Sequence, residues 1–157
     1  MDIERTIKKH KRIMLDTAPI IYFIEEQRDL GKIANQIITI SIRNNINMIT
    51  SVITLIEVLT HPLQLKRHAI VEKYKEILCD SRDLIMYPID EIIAERAAEL
   101  RAKYALKTPD ALQIATCIEY DASLFVTNDV RLKKIDEVAV LLLSDVIVTQ
   151  TKKEALF

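Results

Sequence analysis

The chain has 157 residues, of which 50% are hydrophobic and 29% charged, and its net charge is −1. This length and composition are typical of one globular domain with a substantial core, and they exclude a disordered chain. The balanced charge excludes a uniformly basic nucleic-acid coat and an acidic tail, although local clusters can still exist. We therefore expect a single domain over residues 1–157.

The cysteines and the N-terminal residues predict the cellular compartment of the protein. Cys79 and Cys117 lie in predicted helices without the spacing of a zinc site or a redox pair, so we expect free thiols in a reducing compartment. The start, MDIERTIKKHKR, carries charges of both signs, and Asp16 and Pro19 interrupt the apolar residues that follow it. This pattern fits neither a signal peptide nor a membrane span. We expect a cytoplasmic protein that does not bind membranes.

Short β-rich runs alternate with longer helical patterns along the chain. The predicted elements, in chain order, are a strand at 12–15, helices at 18–26 and about 31–43, a strand at 47–50, a helix from 52, a helix at about 63–79, a strand at 84–87, helices at 91–104 and 109–120, and strands at 124–127 and 138–142. Ser51 is the expected N-cap of the helix that starts at 52, and His61-Pro62 is expected to end or interrupt that helix.

This alternation predicts the fold class and the place to look for a site. Strands that alternate with helices favour a mostly parallel sheet covered by helices on both faces. In such sheets ligands bind beyond the carboxyl ends of the strands, near the point where the strand order reverses. The only glycine is Gly31, which excludes a Gly-rich phosphate loop.

Acidic residues are predicted at this edge of the sheet. Asp16 follows the first strand directly, and Glu57 lies within two turns of the helix after the second strand. Asp110 opens the helix that leads into the strand 124–127, and Asp129 comes two residues after that strand. Parallel strands bring their carboxyl ends together, so we expect these carboxylates to lie near one another.

Each acid also has an ordinary structural explanation. Asp16 suits the turn at the end of a strand, and Glu57 suits a solvated stripe of its helix. Asp110 suits a helix start behind Thr108 as N-cap, and Asp129 suits a turn or cap. Their joint occurrence at one edge is harder to explain this way than any one of them.

Clustering of carboxylates has an electrostatic cost that a cation removes. Two like charges about 4 Å apart repel by roughly 4 kcal/mol at an effective dielectric constant of about 20. Carboxylate oxygens without His or Cys are the ligand set of Mg²⁺ or Mn²⁺ rather than of zinc. The pattern therefore indicates a divalent metal site, which suits hydrolysis of a phosphodiester.

Three stretches resemble motifs of a known family. They are LDTAPIIYFIE at 15–25, SVITLIEVL at 51–59 and RAKYALKTPDALQIATCIEYDASLFVTNDVRL at 101–132. Their order, with an acid after the first strand, a Glu in the second motif, then PDAL and TND, resembles the PIN-domain ribonucleases, particularly the VapC-type toxins. The resemblance extends from about residue 12 to 147.

The resemblance implies a compact α/β/α sandwich around a parallel sheet, Mg²⁺- or Mn²⁺-dependent cleavage of RNA, a homodimer, and a small inhibitory antitoxin protein. Carried over residue by residue, it implies metal ligands and flanking polar groups at Asp16, Glu57, Asp110, Asp129, Thr127 and Asn128. Where the family often carries a glycine before the TND motif, this chain has Asp121, which we expect in the left-handed conformation.

We hypothesise that the three aspartates hold one or two cations, and that Glu57 is a ligand or the base that deprotonates the attacking water. Lys107 and Arg131 flank the acids and are expected to contact the RNA backbone. Residues 1–11 are interpreted as a basic N-terminal arm and residues 148–157 as a C-terminal tail.

Several other functions remain open from the sequence. A PIN fold that binds RNA or protein without turnover would keep the same acids, and so would a housekeeping RNA-processing nuclease. A phosphoaspartyl enzyme fits poorly, because Asp16-Thr17-Ala18 lacks a second acid two residues on. Metal-dependent cleavage that single acid substitutions abolish would distinguish an enzyme from a binding module.

Overall fold

All strands join in a single parallel sheet. The structure is a computed structural model that describes the backbone of residues 2–154 and the side chains of residues 2–149. The strands are β1 (Arg12–Leu15), β2 (Asn47–Ser51), β3 (Leu84–Tyr87), β4 (Leu124–Thr127) and β5 (Ala139–Leu142). They form a five-stranded sheet in the order β3-β2-β1-β4-β5, in which each pairing is parallel. The predicted α/β fold with a parallel sheet of about five strands is confirmed.

Helices precede, connect and follow the strands. They are α1 (Ile3–Ile7), α2 (Thr17–Ile24), α3 (Arg28–Arg43), α4 (Val52–Gln64), α5 (His68–Lys75), α6 (Glu91–Tyr104), α7 (Thr108–Glu119) and α8 (Leu143–Glu154). A π-helical turn, Glu76–Asp80, extends α5, and a 3₁₀ turn, Val130–Lys134, follows β4. Within residues 2–154, no helix is both long and apolar enough to cross a membrane.

The core lies on both faces of the sheet, because successive strand residues point to opposite sides. Ile13 and Leu15 of β1 pack with α2, α3, α4 and α8, whereas Met14 packs with α6 and α7 on the other face. All three side chains are almost completely buried. The fold is therefore a three-layer α/β/α arrangement with β1 at its centre.

The glycine lies where two helices come close together. A Cβ atom at Gly31 in α3 would be 2.8 Å from the backbone oxygen of Tyr22 in α2 and 3.1 Å from the backbone carbon of Glu26. Backbone atoms cannot move aside as a flexible side chain can. Gly31 therefore permits the close packing of α3 against the end of α2.

The predicted helix at 63–79 is wrong in its boundaries. Pro62 neither ends nor interrupts α4, which continues to Gln64, and α5 begins only at His68. The break occurs at Lys66, which has a φ of 52°, and the amide of Arg67 then donates to the carbonyl of Pro62. A residue in the left-handed conformation ends a helix. A proline inside a helix removes one hydrogen bond and its ring clashes with the preceding turn, yet α4 continues through Pro62.

Helices α1 and α8 lie where the sequence predicted an arm and a tail. Within the predicted basic arm at 1–11, Asp2 caps α1 and Ile7 is fully buried. Helix α8 covers much of the predicted tail at 148–157, and Val146 packs in the core. Positions 155–157 of that predicted tail lie outside the described residues. The burial of Ile7 is not expected of a free arm, whereas Val146 lies before the predicted tail and shows only that the start of α8 packs in the core.

Candidate metal centre

An open depression of about 500 Å³ lies at the carboxyl ends of β1 and β4. The strand order reverses at β1, so the loops after these two strands diverge to opposite faces and leave a crevice. The predicted site residues that line it are Asp16, Glu57, Asp110, Thr127, Asn128, Asp129 and Arg131. The topology therefore brings all four predicted carboxylates to the same depression.

Asp16 is the acid with the most polar contacts to neighbouring segments. It follows β1 directly, and its Oδ1 accepts a hydrogen bond of 2.8 Å from the amide of Thr17 at the start of α2. Its Oδ2 accepts a hydrogen bond of 2.7 Å from the hydroxyl of Thr127, the last residue of β4. Asp16 thus joins β1, α2 and β4.

Glu57 lies on the second turn of α4 and its side chain is on the exposed side of that helix. Its Oε2 accepts a short hydrogen bond from the hydroxyl of Thr17. A place on a solvated stripe of the helix therefore explains Glu57 only in part. Its hydrogen-bond partner, Thr17, is buried and directly follows Asp16.

Asp110 lies in the first turn of α7, but the predicted cap of that helix is wrong. Lys107, not Thr108, is the N-cap: its backbone is extended, with φ −68° and ψ 153°, and its carbonyl accepts from the amide of Ala111. Thr108 is already helical, and the helix begins without a side-chain cap. The Asp110 side chain is 28% exposed and suits the positive end of the helix dipole.

Asp129 follows β4 and is paired with Arg131. The guanidinium donates to both carboxylate oxygens of Asp129, and Nε lies 2.9 Å from Oδ1 and 3.0 Å from Oδ2. The amide of Arg131 also donates to Oδ1 at 2.9 Å. Nη2 of Arg131 lies 4.0 Å from Oδ2 of Asp110. Arg131 therefore places a positive charge between two of the acids.

The electrostatics of the three aspartates differ. Burial raises the pKa of Asp16 to about 6, and the charges of Glu57 and Asp110 act in the same direction, against the hydrogen bonds from Thr127 and Thr17. Burial and the charge of Asp129 also raise the pKa of Asp110. In contrast, the hydrogen bonds and charge of Arg131 hold the pKa of Asp129 below its usual value.

The predicted flanking residues have different partners. Asn128 donates to the Tyr22 hydroxyl at 3.4 Å and accepts from the amide of Ser144, at the start of α8, at 3.1 Å. It therefore connects the depression to α2 and α8. Lys107 is exposed at the start of α7, and its charge lowers the pKa of both Asp110 and Asp129.

Besides Thr17, two more deeply buried polar residues near the acids were missed in the sequence. Gln113 is 2% exposed and its Nε2 lies 3.5 Å from Oδ1 of Asp16, and Thr54 is fully buried beside Thr17. The available signal was the helical pattern, since Gln113 lies four residues, about one turn, before the buried Cys117 and therefore on the same side of α7. A polar residue at a core position of a helix indicates a specific hydrogen-bonding role.

The side chains at the depression are of the type that binds a hard divalent cation, but they are not spaced closely enough to form a ready ligand group. Four carboxylates line one depression. Burial, together with the negative charges of Glu57 and Asp110, raises the pKa of Asp16. Within the part of the chain that the structure describes, no three His, Cys, Asp or Glu side chains converge as a ready ligand group. Glu57 has Thr17 as a partner and Asp129 has Arg131. Oxygen donors of this kind suit Mg²⁺ or Mn²⁺.

The fold is similar to that of several solved toxin–antitoxin structures. One is VapBC2 from Rickettsia felis bound to a DNA fragment from their promoter, with 20% identity, a TM-score of 0.69, and coverage of 83% of this chain and 98% of that chain. A toxin–antitoxin complex from Klebsiella pneumoniae has 21% identity, a TM-score of 0.62, and coverage of 83% and 97%. DNA-bound VapBC from Salmonella typhimurium has 18% identity, a TM-score of 0.65, and coverage of 84% and 98%. At these identities the likeness concerns the fold.

Sequence comparison identifies the family. No curated protein matches the chain significantly. The family model described as PIN domain matches residues 13–138, which include β2, β3, β4, all of β1 except Arg12, the four acids of the depression and all of helices α2 to α7. The chain therefore belongs to the PIN domain family.

Proposed function

We propose that this protein is a divalent-metal-dependent endoribonuclease and the toxin of a VapBC-type toxin–antitoxin pair. The observation that carries the proposal is the presence of Asp16, Glu57, Asp110 and Asp129 around one depression in a PIN-domain fold. Like charges are costly to collect in one place, and a bound cation would offset that cost. The same set of oxygen donors suits phosphodiester hydrolysis.

The residues have distinct proposed roles. Asp16, Asp110 and Asp129 would hold one or two Mg²⁺ or Mn²⁺ ions. The chemistry that such an ion supplies is a lowered pKa of bound water and stabilisation of charge on the phosphate. Glu57 is a further ligand or the base that orients the attacking water and takes its proton, and the hydroxyl of Thr17 fixes one of its oxygens.

The basic residues at the rim would bind the RNA backbone. Lys107 lies at the start of α7, next to the carboxylates, and Arg131 is 61% exposed even while paired with Asp129. Positive side chains at such positions fix a phosphate strand without reading its sequence. Binding is then expected to weaken as the salt concentration rises.

Asp110→Asn tests the proposed activity. With single-stranded RNA and Mg²⁺ or Mn²⁺, we expect wild-type cleavage that EDTA stops, and a loss of at least about 100-fold in Asp110→Asn, by analogy with removal of other groups that stabilise a transition state. Asp16→Asn should have the same effect. Initial rates of cleavage on a labelled RNA measure it.

The matched control is Asp83→Asn, an exposed aspartate directly before β3, at the opposite end of the strands. It undergoes the same chemical change outside the depression and should keep the wild-type rate. Full metal-dependent activity in Asp110→Asn would contradict the proposal. A wild-type protein that is folded and binds metal but does not cleave RNA would contradict it as well.

The proposed partner is a small inhibitory protein. Similar structures are described as VapBC or toxin–antitoxin complexes, which supports such a partner for this chain. Expression of the protein alone should arrest growth, and co-expression of the product of a short reading frame immediately upstream should relieve the arrest. Asp110→Asn should not arrest growth. The homodimer implied by the resemblance stays a prediction, which light scattering in solution tests.

A PIN-fold module that binds RNA or protein without turnover is the second candidate. The observation that favours it is the pairing of Asp129 with Arg131, which already compensates one of the four acids. This candidate predicts RNA or protein binding that persists in EDTA and in Asp110→Asn, with no cleavage by the wild type. The same cleavage assay, combined with a binding measurement, separates the two candidates.

A further inference from the structure

A group of buried polar side chains lies beneath the acids. Its members, which we call the polar layer, are Thr17, Thr50, Ser51, Thr54 and Gln113, and each is at most 8% exposed. Buried polar atoms are costly unless they are hydrogen-bonded. In the described part of the chain, no buried side-chain nitrogen or oxygen lacks a partner. The polar layer is therefore a fully bonded network, and such networks fix the positions of their members.

The hydroxyl protons of this network have fixed directions. Thr50 donates to the carbonyl oxygen of Leu15 at 2.9 Å, so its own oxygen has to accept the 2.9 Å hydrogen bond from Thr54. The proton of Thr54 is then committed to Thr50. Its oxygen is left to accept from Nε2 of Gln113, at 2.7 Å.

This chain of bonds fixes the orientation of the Gln113 amide. The Oε1 atom accepts from the hydroxyl of Ser51 at 2.6 Å, and one of the two Nε2 protons goes to Thr54. The remaining N–H faces Thr17 Oγ1 at 3.4 Å and Asp16 Oδ1 at 3.5 Å. A flipped amide would instead turn a carbonyl oxygen toward the Asp16 carboxylate.

The network reaches two of the proposed cation-binding acids. Gln113 faces Asp16 directly, and it faces Thr17, whose hydroxyl is committed to Glu57. Gln113 also lies three residues after Asp110, so both side chains lie on the same side of α7. Helix α7 therefore carries both a proposed ligand, Asp110, and the Gln113 amide, which faces Asp16 and the hydroxyl partner of Glu57.

We propose that Gln113 is a positioning residue of the metal centre, which sets the placement of Asp16 directly and that of Glu57 through Thr17. This inference rests on the proposed function. Gln113 is buried and does not touch RNA, so it acts on cation affinity and on the rate of cleavage rather than on RNA binding. Polar groups that orient metal ligands typically change metal affinity by about 10- to 100-fold when they are removed.

The test is Gln113→Leu, which keeps the approximate volume and removes every hydrogen bond of the amide. We expect Mn²⁺ affinity, measured by titration calorimetry well below the melting temperature, to fall by about tenfold or more. The kcat for RNA cleavage should fall while KM for RNA stays near the wild-type value. The control is Thr116→Val on the same helix, because the buried Thr116 hydroxyl bonds only to the Leu112 carbonyl one turn earlier.

A second pair of variants covers the possibility that Gln113→Leu does not fold. Thr54→Val removes the hydroxyl that accepts from Gln113, whereas Thr54→Ser keeps it. We expect weakened Mn²⁺ affinity in the valine variant and near-normal affinity in the serine variant.

A stable Gln113→Leu protein with wild-type Mn²⁺ affinity and kcat would overturn the positioning role and leave the proposed function intact. Equal Mn²⁺ affinities of Thr54→Val and Thr54→Ser would overturn it too. A wild-type protein that neither binds Mn²⁺ nor cleaves RNA would overturn both the positioning role and the proposed function, so the two failures are distinguishable.

Discussion

Asp16 makes the stability of the metal-free protein depend on pH. Its pKa is raised to about 6 in the folded state, so the folded protein binds the proton more tightly than the unfolded chain does. The stabilisation by this proton is complete below a pH of about 4, the usual pKa of an aspartate, and it is lost as the pH rises through about 6. The ionised form is thus tolerated at neutral pH at a cost in stability.

Asp16→Asn tests this dependence. An asparagine is neutral at every pH, so in EDTA the melting temperature of the variant minus that of the wild type should increase by about 3 °C between about pH 5 and pH 7.5. Thermal unfolding followed by circular dichroism at several pH values measures the difference. A difference that stays constant over this range would contradict the expectation.

We expect Arg131 to compete with the proposed cation for the carboxylates. Its guanidinium donates to both oxygens of Asp129 and lies 4.0 Å from Asp110. We expect Arg131→Ala to bind Mn²⁺ about two- to fivefold more tightly, because exposed ion pairs contribute only modestly, and to bind RNA more weakly. Titration calorimetry and RNA-binding assays measure the two effects.

Lys133→Ala is the control for Arg131, because Lys133 is also a basic residue of the 3₁₀ turn but pairs with Asp145. Its Mn²⁺ affinity should stay at the wild-type value. Weaker Mn²⁺ binding in Arg131→Ala would contradict competition and would indicate that Arg131 organises the acids instead.

At the scale of elements, the backbone conformation at the C-terminus of α6 lowers the free energy of unfolding. Ala105 caps this helix in the left-handed conformation, with φ 54° and ψ 41°. Glycine adopts this conformation without the clash of a Cβ atom, so Ala105→Gly should raise the free energy of unfolding by about 0.5–1 kcal/mol. Urea unfolding measures it.

The matched change is Ala102→Gly, in the exposed part of the last turns of the same helix. There the backbone is helical, and glycine should lower the free energy of unfolding by about 1 kcal/mol. Opposite signs for the two substitutions are the expected result. A loss of stability in both would show that the left-handed cap of α6 carries no strain.

The strands were predictable because each is a short apolar run between polar residues. The predicted bounds of β1, β3 and β4 match the structure, and those of β2 and β5 differ by one residue. Asp121 has a φ of 54°, which confirms the left-handed conformation expected there. Helix α8 was missed because its Val and Thr residues are weak helix formers and its stability comes from packing against the core.

The acids of the depression were predictable from topology, whereas their partners were not. Asp16 and Asp129 follow β1 and β4, so parallel pairing alone brings them to one edge. The contact of Gln113 with Asp16 joins residues far apart in the chain. A sequence pattern places Gln113 on a helix face, but only the packed structure shows that this face meets the end of β1.

At the scale of the whole molecule, the cysteines report on the integrity of the core. Both are free thiols, as predicted, with Cys79 exposed and Cys117 buried beneath the sheet, where burial raises the pKa of the thiol. The folded protein should therefore react with a thiol reagent at Cys79 only, and unfolding in urea should expose Cys117. A reagent that releases one chromophore for each thiol it modifies gives the number of reactive cysteines before and after unfolding. Rapid reaction of both thiols in the native protein would contradict the described packing of α7.

The central place of β1 also sets when the protein becomes functional during its own synthesis. Ile13 leaves the ribosome early, but its partner Leu124 on β4 emerges only when most of the chain has been made. Until then β1 lacks one neighbour, and neither Thr127 nor Asp129 is available to complete the depression. Pairing over such a distance is slow, because a long loop has to close first. If the proposed nuclease activity holds, this strand order would keep the protein inactive beside the messenger and ribosome that produce it until its translation is nearly finished.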